Sequence, residues 1–151
     1  MRLFSDDQPW TMVRDGDPVA LAIFKRHYSY RKYKDGRKPK LFVGPGEKLV
    51  LLTKCHGALF VWRKFVSDDG QEGVNCAVFR NETQIRSSDL IREAEKIAWR
   101  RWPGARFYTY VHPRKIKSVN PGYCFKAAGW RVCGKTKMRG LIILEKFPSL
   151  P

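Results

Sequence analysis

The sequence predicts a single domain of the α+β class, in which one central, mostly antiparallel and twisted sheet is flanked by helices. A chain of 151 residues usually folds around one core. Hydrophobic residues make up 43% of it, which disfavours disorder. Strand-like and helix-like segments are interleaved with no internal repeat and no linker between them. We therefore expect one domain over residues 1–151.

The first predicted element is a helix in GDPVALAIFKRH, residues 16–27. Asp17 can cap its first turn, and Pro18 is favoured at a first helical position. Its apolar side consists of Val19, Leu21, Ala22, Ile23 and Phe24.

Antiparallel strands are predicted next, because the following segments are rich in β-branched and aromatic residues. They are KLVLLT, ALFVWRKF and VNCAVF, residues 48–53, 58–65 and 74–79. LFV and the breaker GPGE precede the first of them, and SDDGQEG connects the last two as a hairpin.

SSDLIREAEKIAWRRW, residues 87–102, predicts the second helix. Ser87 or Ser88 is expected to cap it, Asp89 suits the positive end of its dipole, and Pro103 with Gly104 ends it. The residues that recur at helical spacing are Leu90, Ile91, Ala94, Ile97, Ala98 and Trp102. Trp99 and Trp102 are expected in the core.

The C-terminal part predicts a strand, a short helix and a final hairpin. RFYTYV is the strand, and NPGYCFKAAGW contains the helix, closed by Gly129. WRVC and GLIILEKF form the hairpin around the basic loop GKTKMR.

A net charge of +16 exceeds what solubility requires and points to a polyanionic partner. Nucleic acid is the leading candidate for this partner, and an anionic membrane surface is the second. The alternative is that the protein is merely basic and has no such partner. Residues 25–40 hold eight cations against one acid, Asp35, with tyrosines that can stack on bases. The predicted DNA contacts are Lys25, Arg26, Tyr30, Arg31, Lys32, Tyr33, Lys34, Arg37, Lys38 and Lys40.

The four cysteines, Cys55, Cys76, Cys124 and Cys133, contain no C-x-x-C pair, which disfavours a zinc site. Most of them are expected to be buried thiols. There is no apolar N-terminal segment typical of a signal peptide and no apolar run long enough to span a bilayer. We therefore expect a cytoplasmic protein without a membrane partner.

The strand-to-helix junction QIRSSDLI can form an anion site, because backbone N–H groups are exposed at a helix start. An ordinary Ser-capped helix is the alternative. YVHPRKIKSVNPGYCFKAAGW resembles the closing half of the Gcn5-related N-acyltransferase (GNAT) fold, with Asn120, Phe125, Gly129 and Trp130 at the matching places. QIRSSDLI then stands where that fold has its glycine-containing pyrophosphate loop, although Ser87 and Asp89 replace the two glycines.

The resemblance implies an acyl donor such as acetyl-coenzyme A. It implies that the donor is held by Arg80, Asn81, Arg86, Ser87, Ser88, Asn120 and Phe125.

Three short motifs in order, HYS at 27–29, RN at 80–81 and F-x-A-x-G-W at 125–130, resemble the Mom family of bacteriophage DNA-modification proteins. The resemblance covers residues 18 to 136. Mom proteins are GNAT-like and convert adenine in DNA to an N6-carbamoylmethyl form that blocks restriction enzymes. The resemblance implies a transferase that acts on the N6 amine of adenine. The adenine would be in single-stranded DNA or flipped out of a duplex.

The implied catalytic residues are His27, Tyr28, Ser29, His112 and Tyr123. His27 can act as a general base or a metal ligand, with iron as one candidate metal, or it can simply cap a helix. His112 stands near the place of a family acid, whereas His56 is expected in a turn with no role. Phe125 occupies the place of a family tyrosine, so proton donation falls to Tyr123 or Tyr28.

Two alternatives remain open from the sequence. One is an acetyl-coenzyme A-dependent N-acetyltransferase acting on a different amine. The other is a catalytically silent, GNAT-like module that binds nucleic acid.

Overall fold

In the computed structural model, residues 8–27, 30, 40–67, 69–115 and 120–149 are described, and they form seven strands and three helices. The strands are β1 (Trp10–Val13), β2 (Glu47–Thr53), β3 (Ala58–Lys64), β4 (Val74–Asn81), β5 (Phe107–Val111), β6 (Arg131–Lys135) and β7 (Ile142–Lys146). The helices are α1 (Pro18–Lys25), α2 (Ser87–Arg101) and α3 (Tyr123–Ala127). The prediction of an α+β domain with a mostly antiparallel sheet is confirmed.

The strands form one sheet in the order β1-β2-β3-β4-β5-β7-β6. Strands β1 to β4 pair antiparallel, each with the next one along the chain. Strand β7 pairs antiparallel with β5 on one side and with β6 on the other. The pair β4–β5 is parallel, with only three residue pairs, from Val74↔Phe107 to Cys76↔Thr109. This short parallel ladder joins the two antiparallel parts of the sheet.

Alternate residues of the strands face opposite sides of the sheet, and each side has its own hydrophobic cluster. Phe60 and Trp62 of β3 lie with α2 and α3 in the larger cluster, together with Phe107 of β5. Leu59 and Val61 face the smaller cluster, beneath α1. The expectation that Trp99 and Trp102 belong to the core is confirmed, since both pack in the larger cluster.

The predicted cap of α1 is confirmed, and that of α2 is wrong. The Asp17 carboxylate accepts from the backbone N–H groups of Val19 and Ala20, both at 3.0 Å. Helix α2 has Arg86 at its N-cap position, without a side-chain cap, because Ser87 and Ser88 already lie inside the helix.

Strand β1, which has only four residues, is not predicted by the sequence. Its position is fixed by Trp10, which is fully buried and whose indole N–H donates to the Leu90 carbonyl of α2 at 2.9 Å. Four residues with one buried ring carry too little periodicity to indicate a strand.

The prediction that most cysteines are buried is wrong. Cys76 is buried and Cys124 half-buried, whereas Cys55 and Cys133 are exposed, and all four are free thiols. The helices of the described ranges are also relevant to membrane insertion. None of them combines the length and the apolar character needed to cross a bilayer.

Candidate active site between strands β4 and β5

A cleft of about 240 Å³ opens where β4 and β5 stop pairing. Beyond Cys76 and Thr109 the two strands diverge, and the gap is lined from both sides of the sheet. Its described lining residues are His27, Cys76, Ala77, Val78, Phe79, Thr109, Tyr110, Val111, Asn120, Gly122, Tyr123, Cys124 and Phe125.

The cleft brings together residues that are far apart in the sequence. His27 follows α1, which packs on one side of the sheet, whereas Tyr123 and Phe125 belong to α3, which packs on the other. Four residues predicted as site residues, His27, Asn120, Tyr123 and Phe125, line this one cavity. A group bound there would contact His27 from one side and α3 from the other.

His27 is a neutral imidazole at physiological pH. Its pKa is lowered from 6.5 to about 4, mainly by burial and then by the nearby Arg80 guanidinium, while a hydrogen bond with the Phe79 backbone opposes the shift. Burial is the larger of the two causes that lower this pKa, and the positive charge of Arg80 is the smaller. A neutral imidazole next to a cavity can accept a proton.

Two cations next to His27 share one acid. Glu82 accepts from Arg26 at 2.7 Å and from Arg80 at 2.6 Å, and these bonds lower the pKa of Glu82 to about 2. Arg26 had been assigned to DNA and Arg80 to the donor, but the structure places both in one ion-pair cluster beside the cleft.

On the α3 side, Phe125 is buried and Tyr123 is exposed. Phe125 lies edge-on to Phe79 and Trp130, with ring centroids 6.0 and 4.9 Å away. Tyr123 is 64% exposed at the mouth of the cleft, and Asn120 accepts from the Lys126 ammonium at 2.6 Å. Tyr123 is the one residue of α3 that carries a hydroxyl, and it lines the cleft.

The start of α2, predicted to hold a donor, lies apart from the cleft. None of Arg80, Asn81, Arg86, Ser87 and Ser88 is among the described residues that line it. The Asn81 side chain instead holds the β4–α2 turn. Its amide donates to the Ile85 carbonyl at 2.7 Å and to the Ser87 hydroxyl at 3.0 Å.

Coenzyme A fits the start of α2 poorly. Ser88 is buried, and the exposed Asp89 carboxylate adds negative charge where a pyrophosphate would sit. Ser87 and Asp89 stand where the GNAT loop has glycines, and their Cβ atoms hinder the close approach of a phosphate.

His112, also predicted as catalytic, does not line the cleft between β4 and β5. It follows β5 directly and borders a neighbouring cavity with Arg114 and Arg139. Its Nδ1 atom is buried and has no hydrogen-bond partner among the described residues. His56 lies in a turn, as predicted, with a positive φ of 61°.

Most of the predicted DNA-binding and two of the catalytic residues lie outside the described residues. They are Tyr28, Ser29, Arg31, Lys32, Tyr33, Lys34, Arg37 and Lys38. Lys25, Arg26, Tyr30 and Lys40 are described. Tyr30 is half-buried, and its ring lies edge-on to Phe24 with centroids 5.6 Å apart.

The proposed metal role of His27 finds no ligand set. In the part of the chain that the structure describes, no three His, Cys, Asp or Glu side chains come together in a group that could hold a metal ion. Iron therefore does not fit the described side chains around His27.

Sequence reasoning missed Cys76, Thr109, Tyr110 and Cys124 as lining residues. The three on strands face the cavity only because β4 and β5 diverge, which no local pattern indicates. Cys124 stands next to Phe125, and that adjacency was the one available signal. Burial raises the pKa of both the Cys76 and Cys124 thiols, so they line the cleft as neutral groups.

We expect the stability of the protein to fall as pH is lowered from 6.5 to 4. The unfolded chain protonates His27 near pH 6.5 and the folded protein near pH 4, so between these values the unfolded state binds more protons. The contribution of His27 to the free energy of unfolding is fully present above pH 6.5 and amounts to at most about 3 kcal/mol. Urea unfolding at several pH values measures it, and His27→Asn should flatten this part of the profile. An unchanged profile in the variant would contradict the lowered pKa.

Searches of protein-family models and of curated proteins find no match to the chain.

Proposed function

We propose that the protein is a GNAT-like transferase that modifies the N6 amine of adenine in DNA with a small acyl-derived group, of which carbamoylmethyl is the leading candidate. The observation that carries the proposal is the convergence of His27 with Asn120 and Phe125 on one cleft. These are the residues through which the sequence resembles Mom and GNAT proteins. A mostly antiparallel α+β domain is also what that resemblance implies.

The size of the cleft suits one small planar group. Its volume of about 240 Å³ lies just below the range of about 300–1,000 Å³ that is common for drug-sized ligands. A base that enters it must first leave the helical stack. The apolar walls formed by Val78, Phe79, Val111 and Phe125 would exclude water from the reacting amine.

The N6 amine is a poor nucleophile because its lone pair is delocalised into the ring. His27 provides a neutral base that can take the amine proton as the new bond forms. Tyr123 provides a hydroxyl that can donate a proton to the donor's leaving group as its bond to the transferred carbon breaks, a role that Phe125 cannot perform. The donor supplies the electrophilic carbon, and the proposed roles of His27 and Tyr123 do not depend on its being coenzyme A.

The charge of the chain supports a nucleic-acid substrate over a small basic amine. The net charge of +16 and the cations around His27 attract a polyanion and repel a cationic acceptor. This argues against the alternative of an acetyltransferase that acts on a different, cationic amine.

Nucleoside mass spectrometry tests the proposal. DNA from cells that express the protein is digested to nucleosides and compared with DNA from cells that carry the empty vector. We expect a new adenine nucleoside of increased mass whose fragments place the addition on the base. Unmodified adenine with proven expression of folded protein, and DNA binding by the purified protein, would favour the catalytically silent alternative.

A further inference from the structure

A second cavity lies on the sheet face opposite α2 and α3. Its volume is about 860 Å³. Phe107 and Val111 of β5 face the larger core cluster, so Tyr110 between them faces this groove, and Ile143 of β7 does the same next to Leu144. Together with Phe65 and Leu141 they give the groove an apolar floor.

The β6–β7 hairpin makes the rim of the groove strongly basic. Lys135, Lys137 and Arg139 are exposed, and none forms an ion pair with an acid among the described residues. Arg63 adds a fourth cation to the lining, and Asp69 is the one acid among the described lining residues. Asp69 accepts hydrogen bonds from Tyr110, at 2.6 Å, and from Ser67, and it does not pair with the hairpin.

The absence of an ion pair with a described acid separates Lys135, Lys137 and Arg139 from many other cations among the described residues. Arg26, Arg80, Arg106, Arg131 and Lys146 all pair with acids. Unpaired cations grouped on one loop repel one another and gain stability only when they meet an anion.

Met138 stands at the end of the same hairpin and is 96% exposed, between Lys137 and Arg139. A long apolar side chain between two cations suits a partner that offers both phosphates and the faces of bases. Methionine is among the residues that proteins insert against base steps in DNA.

We propose that the β6–β7 hairpin and this groove form a DNA-binding surface in which Lys135, Lys137 and Arg139 hold the phosphates of one strand and Met138 contacts its bases. The inference rests on the proposed function for its choice of partner. A concave groove with cations on its rim can receive a strand, whereas a flat bilayer would leave Tyr110 and Ile143 uncovered.

The groove is a neighbour of the cleft between β4 and β5, because Tyr110 lines both cavities. A strand held along the hairpin would therefore pass the cleft in which His27 lies. The described residues that form this surface are other residues than those of 25–40, which were predicted from the sequence to bind DNA.

Binding of fluorescein-labelled DNA, measured by anisotropy across a series of KCl concentrations, tests the inference. The triple variant Lys135→Gln/Lys137→Gln/Arg139→Gln should lower the slope of log K against log salt by about 2–3, since each phosphate contact contributes roughly 0.7–0.9. Lys137→Gln alone should lower it by about one. The control Lys96→Gln/Arg100→Gln/Arg101→Gln removes the same charge from exposed positions of α2 and should leave the slope nearly unchanged.

Met138→Ser should weaken binding severalfold without changing the slope, because it removes no charge. Unchanged affinity would overturn the assignment of Met138 to the bases. Equal slopes for the two triple variants, with DNA bound by the wild type, would overturn the hairpin surface and leave the proposed function standing. A wild type that binds no DNA would overturn both.

Vesicles containing phosphatidylserine provide the remaining comparison. If the hairpin variant loses vesicle binding while it keeps its DNA affinity, the surface is one for membranes and the inference is wrong. Hairpin-dependent DNA binding without any modified nucleoside would support this surface and contradict only the proposed reaction.

Discussion

Replacing His27 with asparagine should reduce adenine modification by about 10²–10⁴-fold, the contribution typical of a general base. Asparagine can still hydrogen-bond with the Phe79 backbone, but it cannot accept the amine proton. Because the imidazole is neutral down to about pH 4, it contributes little to phosphate binding, and DNA affinity should stay near that of the wild type. The measurement is the yield of modified nucleoside per amount of folded protein.

His56→Asn is the matched control for this substitution. His56 lies in an exposed turn with a positive φ of 61°, a conformation that asparagine tolerates better than most residues. We expect it to keep full activity. Full activity of His27→Asn would rule out the general-base role, and loss of activity together with DNA binding would show that His27 only shapes the binding surface.

Replacing Lys146 with methionine should destabilise the protein by about 3–5 kcal/mol, because it leaves a buried carboxylate without its cation. The Lys146 ammonium lies 2.6 Å from a carboxylate oxygen of Glu95, which is 2% exposed, and it also donates to the Ala128 carbonyl at 2.7 Å. The Trp130 indole donates to the other Glu95 oxygen at 2.7 Å. A thermal midpoint lower by roughly 6–20 °C is expected for a domain of this size.

The double variant Glu95→Gln/Lys146→Met separates the loss of charge pairing from the loss of packing. It removes the unpaired charge and should recover most of the lost stability. Burial already raises the pKa of Glu95 in the wild type, so the defect of Lys146→Met should shrink at low pH, where the carboxyl is protonated. Lys64→Met is the control, since its pair with Glu47 is exposed and should contribute below about 1 kcal/mol. A double variant as unstable as the single one would assign the effect to packing.

The periodic parts of the fold were predictable from sequence because local patterns determine them. The β-branched and aromatic residues in 58–65 and 74–79 predicted β3 and β4, and the spacing of Leu90, Ile91, Ala94 and Ala98 predicted α2. The cap of α1 was predictable as well, since Asp17 followed by Pro18 is a local signal. The Ser cap of α2 failed because Asn81, six residues before Ser87, holds that turn.

The site could be predicted only in part, because its position depends on how strands pair. His27, Asn120 and Phe125 were selected through motif resemblance, and the structure adds that they line one cavity. The donor-binding prediction placed a site at the start of α2, whereas the described lining of this cleft comes mainly from β4, β5 and α3. The place where β4 and β5 stop pairing depends on the three-dimensional register of the two strands, and no pattern within the sequence of either strand indicates it.

The divergence of β4 and β5 also bears on aggregation. Where pairing ends after Cys76 and Thr109, two strand edges lie inside the sheet instead of at its border. Strand edges at a border invite other chains to add to the sheet. These inner edges face each other across a cavity of about 240 Å³ next to α3, which has no room for a further strand. The protein can thus present backbone edges to a small ligand without offering a template on which other chains assemble.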